Sequence, residues 1–135
     1  MKNTSLVKDY LIRANDRLDT LDLLFNKKSW ANVVLEAQEI VELSLKAYLR
    51  HINIEVPRAH DVSATLIEHK SFLTGSMATE INKVVRISKS LRRDREIAFY
   101  GTEDLTPSDF YSEEDAQLAR EGARFVYSTV EGSLL

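Results

Sequence analysis

From Trp30 to Ile52 apolar residues recur every three or four positions, through Val33, Val34, Ala37, Val41, Leu45 and Tyr48. That period matches the α-helical turn and conflicts with the two-residue alternation of a half-buried strand. Ile40, Leu43, Ala47 and Leu49 widen the apolar face well beyond one stripe. Such a helix has to be covered on two sides, as the central helix of a bundle or as a contact between subunits.

The flanking segments predict the covering helices. Val7, Tyr10, Leu11, Ala14, Leu18, Leu21 and Phe25 keep the same spacing, and Asn26-Lys27-Lys28 breaks it before Ser29, a candidate cap for the second helix. Asn53 to Ala59 is a connector in which Pro57 forbids helix, and Asp61 is placed to cap a short third helix through Leu66 and Phe72. Thr74-Gly75-Ser76 resets the chain for a fourth helix from about Met77 to Tyr100, whose apolar stripe is thin: Met77, Ile81, Val84, Val85, Ser88 and Leu91. Gly101 suits the left-handed conformation that ends it. Thr102 to Tyr111 is expected to be a loop, and Ser112-Glu113-Glu114-Asp115 opens a last helix burying Ala116, Ala119, Ala123, Val126 and Val130. No strand-like alternation occurs. The expected fold is all-α, an antiparallel four-helix up-and-down bundle with an additional short helix, in one domain of 135 residues.

The absence of cysteine removes disulfides, thiolate metal sites and cysteine nucleophiles. No two histidines stand four apart, so no metal site or cofactor is expected. Neither a signal-peptide core nor a bilayer-length apolar run is visible, which points to the cytoplasm and away from membranes. Net charge is −3, so any nucleic-acid contact must rest on a local patch. One exists. Between Lys83 and Arg95 the chain carries Lys83, Arg86, Lys89, Arg92, Arg93 and Arg95 against Asp94 alone.

Three pieces, EAQEIVELSLKAYL (36–49), VPRAHDV (56–62) and RRDREIAFYG (92–101), resemble in order and spacing the HEPN family of small helical-bundle proteins. The resemblance covers nearly the whole chain. It implies a homodimer whose arginine-bearing helices meet across a cleft, and a small nucleotidyltransferase as possible partner. Many HEPN proteins are metal-independent ribonucleases in which an arginine contacts the scissile phosphate and a histidine assists the ribose hydroxyl. Aligning Arg93 on that arginine matches Tyr100 but puts Ala98 at the histidine position. A methyl group moves no proton, and such assistance is worth about two to four orders of magnitude. Binding of a nucleotide or RNA without efficient cleavage is therefore the leading expectation. The alternative is a toxin-like ribonuclease with a degenerate site, its catalytic candidates being Arg93, Tyr100 and His60.

The ligand-binding candidates are Arg86, Lys89, Arg92, Arg93, Arg95 and Tyr100. Each also has an ordinary structural use. The arginines can neutralise helix-end carbonyls or pair with Glu96, Glu103 and Asp104. Lys83, Arg86 and Lys89 can form a solvated band. Tyr100 offers a ring and a hydroxyl to a base or phosphate, or closes the core beside Phe99, which is expected inside. His60 with Asp61 suits a cap as well as a base. Glu42 and Lys46 are expected to pair along the second helix.

Overall fold

Breaks in the apolar periodicity become helix ends in the computed structural model, which describes residues 2–56 and 61–134. The described residues are helical, with no strand: α1 (Lys2–Asn26), α2 (Trp30–His51), α3 (Val62–Glu68) with a 3-10 turn at Lys70–Phe72, α4 (Gly75–Tyr100), α5 (Pro107–Phe110) and α6 (Glu113–Ser133). Pro57 and His60 lie outside the described residues. The wide apolar face of α2 does what its composition requires: α2 packs against α1, α4 and α6 together, and 13 of its residues are buried. No helix among the described residues is long and apolar enough to cross a membrane.

Local chemistry sets the joints. Asp61 caps α3 by accepting from the backbone amide of Ser63 at 3.0 Å. Ser112 and Asp115 form a reciprocal capping box on α6. Ser29 does not cap α2 through its side chain; its hydroxyl accepts instead from the side-chain NH2 of Asn32 at 2.9 Å, and Lys28 takes a positive φ of 61° to turn the chain. The fully buried Tyr48 ties α2 to the start of α4, its hydroxyl accepting from the Thr74 amide at 2.8 Å. The Met77 amide, in the first turn of α4, donates to the Ser133 hydroxyl at 2.9 Å, so the end of α6 satisfies a donor that Thr74 leaves open.

Two glycines fix the ground around α4. Gly101 ends it at φ 83°, where a Cβ would lie 2.7 Å from the Leu105 carbonyl oxygen, so the chain folds back tightly towards α5. Gly122 on α6 lets Ile87 of α4 approach to within 3.0 Å of where a Cβ would sit. The expected loop from Thr102 to Tyr111 contains α5, because Thr106 accepts from the Asp109 amide and Pro107 occupies the first helical position, where its missing N–H costs nothing.

A candidate anion-binding groove

Helix periodicity sorts the basic residues of α4 onto different faces. Arg92 and Arg95, candidates for a ligand or for helix-end carbonyls and the acids Glu96, Glu103 and Asp104, turn towards α2: Arg92 lies 3.5 Å from Glu42 and Arg95 4.0 Å from Glu39. Glu42 also holds Lys46 at 3.3 Å, the expected intrahelical pair. These exposed pairs contribute at most about 1 kcal/mol each. Lys83 leaves the basic band and stands 3.9 Å over the Phe125 ring.

The remaining cations, Arg86, Lys89 and Arg93, follow an i, i+3, i+7 spacing and line one groove between α4 and α6. The groove has a volume of about 740 Å³. Buried Val34 of α2 contributes to its floor, and Phe110, Tyr111, Asp115 and Leu118 come from α5, the turn after it and α6. Among the described residues none of the three cations has a carboxylate oxygen within 4.0 Å.

Between the cations sits Asp94. Burial raises its pKa, Arg93 opposes that shift and Asp115 adds to it. The hydroxyl of Tyr111 donates to the Asp94 backbone carbonyl at 3.0 Å. Burial, with Asp94 and Asp115 adding to it, pushes Tyr111 up to about 12, so the phenol stays a donor at any physiological pH. A carboxyl raised on folding stabilises the fold fully below its unfolded pKa and loses that contribution as pH rises through the folded value. Asp94→Asn is therefore expected to melt higher than wild type at pH 7 and to lose that advantage on acidification to pH 3. Paired thermal melts across that range check it.

The aromatic end of α4 departs from expectation. Leu91 and Ala98 are buried seven residues apart, which rotates residue 99 outward, and Phe99 is 58% exposed instead of inside the core. Tyr100 is 77% exposed, its ring 4.8 Å from that of Phe99, and neither lines the groove. Ala98 is buried, so position 98 faces the protein interior. His51 is exposed at the end of α2, and His69 Nδ1 lies 3.0 Å from the Thr65 carbonyl oxygen. Sequence reasoning missed Phe110, Tyr111, Asp94 and Leu118. Asp94 is visible in the sequence as the single acid of the basic run, and Leu118 as an apolar residue off the Ala116, Ala119, Ala123 face.

Among the described residues, three cations with no carboxylate oxygen within 4.0 Å thus line one groove of a helical domain. The HEPN domain model matches residues 7–133, across all four long helices, and the chain belongs to the HEPN family. Neither curated proteins nor solved structures gave a match.

Proposed function

We propose that this protein binds the phosphate of a nucleotide or of RNA in the groove, with Arg93, Lys89 and Arg86 as its anion contacts. One observation carries the reading: these three side chains share a groove and lack carboxylate partners among the described residues, while their neighbours Arg92 and Arg95 are turned to α2. Guanidinium groups stay charged at all relevant pH and present a fork of donors to phosphate oxygens. Arg92 and Arg95 then serve as a second, weaker tier. A single strand leaving the groove along α4 meets Tyr100 seven residues on, about 10 Å by helix rise, where ring and hydroxyl are open for stacking.

Binding is favoured over cleavage because residue 98, at the position where nuclease members of the family carry histidine, is an alanine that faces the core. An antiparallel order of the four long helices, a homodimer, a small nucleotidyltransferase partner and a cytoplasmic location complete this reading. Family membership supports the homodimer.

Titration of short single-stranded RNA and of ATP at two salt concentrations is expected to give salt-sensitive binding that Arg93→Ala weakens about ten- to a hundredfold, the effect of one charge-assisted contact of about 1.5–3 kcal/mol. Binding by neither ligand, or binding indifferent to the substitution, rejects the proposal. RNA degradation in EDTA that Arg93→Ala abolishes would replace binding with cleavage.

A further inference from the structure

The sign of the chain reverses where α4 ends. From residue 96 to residue 119 the sequence carries seven acids and no lysine or arginine, directly after the basic stretch of α4. The fold accounts for four of them: Asp109 accepts from the Thr106 hydroxyl at 2.9 Å in the cap of α5, and Glu113, Glu114 and Asp115 sit at the positive end of α6. Glu96, Glu103 and Asp104 lie instead at the negative end of α4, whose last turn has no basic residue, and a helix repels carboxylates there. Among the described residues none of these three forms an ion pair. Apolar surface coincides with them. Phe99 and Tyr100 stand three and four residues after Glu96, on its face of the helix, and both rings are exposed. Leu105, 44% exposed, is brought back against the helix end: its carbonyl oxygen accepts from the Thr102 amide at 2.9 Å and its amide donates to Thr102 Oγ1 at 3.2 Å. Those two bonds close a turn that holds Glu103 and Asp104 out in solvent.

Exposed rings and an aliphatic side chain among unpaired carboxylates suit a cation carried on an apolar stem. Guanidinium and ammonium groups pair with carboxylates and stand over aromatic faces, while their alkyl stems cover apolar surface. We propose that the end of α4, with Phe99, Tyr100 and Leu105 as apolar contacts and Glu96, Glu103 and Asp104 as charge partners, docks a segment of another protein in which lysine or arginine alternates with apolar side chains. Charge selects this occupant. RNA would bring its phosphates onto the three carboxylates, and a second copy centred here on a two-fold axis would set those carboxylates against their own copies. The homodimer proposed above uses the arginine-bearing stretch of α4, upstream of this surface. The docking does not rest on the anion-binding reading; where both hold, the docked segment and a strand leaving the groove compete for the Tyr100 ring.

The test titrates the full chain into a labelled peptide of alternating arginine and leucine, and into a matched peptide with glutamate for arginine, by fluorescence anisotropy. The arginine peptide is expected to bind with an affinity that falls as salt rises, and the glutamate peptide to stay free. Glu103→Lys/Asp104→Lys and, separately, Phe99→Ser/Leu105→Ser should each weaken the arginine peptide about tenfold, the scale of losing charge complementarity or an apolar anchor. Asp16→Lys/Asp19→Lys makes the same change of net charge on the outer face of α1 and should leave the affinity unchanged. All these positions are exposed, so melting temperatures should stay close to wild type. No binding of the arginine peptide overturns the proposal. Equal weakening by the α1 substitutions reduces the effect to net charge and also overturns it, as does indifference to the Phe99/Leu105 pair. Single-stranded RNA that the Phe99/Leu105 pair weakens while the peptide is unaffected assigns the surface to RNA, and a dimer that Leu105→Asp splits assigns it to a second copy; either result rejects the docked segment.

Discussion

The triple variant Arg86→Ala/Lys89→Ala/Arg93→Ala is expected to bind single-stranded RNA about a thousandfold more weakly than wild type at low salt. Each cation lost removes one phosphate contact, taken at roughly 1.4 kcal/mol, a factor of about ten. The slope of log K against log salt should fall by about 2, since each phosphate neutralised on a single strand contributes about 0.7. All three side chains are exposed and free of carboxylate partners among the described residues, so the fold should persist with little change in melting temperature. The matched control is Arg92→Ala/Arg95→Ala, which removes equally basic neighbours. If the two sets weaken binding alike, the anion contact is a diffuse helix charge, and the groove has no special part in it.

The second large effect concerns α2. Leu45 is fully buried within the packed core, and Leu45→Ala is expected to cost about 2–5 kcal/mol through lost apolar transfer and an unfilled cavity. Against a total of about 5–15 kcal/mol for a domain, that is a large share of the stability. Leu118→Ala, by contrast, trims a side chain that is 63% exposed and should stay within about 0.5 kcal/mol of wild type. Urea unfolding followed by circular dichroism compares the two. A Leu45→Ala midpoint close to wild type would mean that α2 is not the helix on which the others pack.

Much of the fold was readable from the sequence because helices are local. Three-to-four-residue spacing placed α1, α2, α4 and α6, and Asp61, Gly101 and Ser112 marked the start of α3, the end of α4 and the start of α6. The failures were also local in origin. Ser29 has the right residue type for a cap, but Asn32 occupies its hydroxyl. Phe99 is apolar and expected inside, whereas the phase set by Leu91 and Ala98 turns it outward.

The candidate site was legible only in half. Arg93 stood out through the family motif and Arg86 and Lys89 as part of a basic band, yet nothing along the chain showed that Arg92 and Arg95 turn to α2 while these three share a groove. That distinction depends on α2 lying on one side of α4 and α6 on the other, so that a rotation of about 100° per residue sends adjacent arginines to opposite neighbours. Phe110 and Tyr111 were read as part of a loop, since their role arises from the fold-back at Gly101 and the hydrogen bond to the Asp94 carbonyl.

Sequence alone determined that this chain is helical, where its long helices run, and that one of them is unusually basic. Backbone hydrogen bonds reach only four residues and apolar period follows them, so these properties need no distant partner. Which cations are neutralised and which face a groove, and what lines its opposite wall, was decided only by the packing of α4 against α2 and α6, because those contacts join residues from 34 to 118 that no local rule connects.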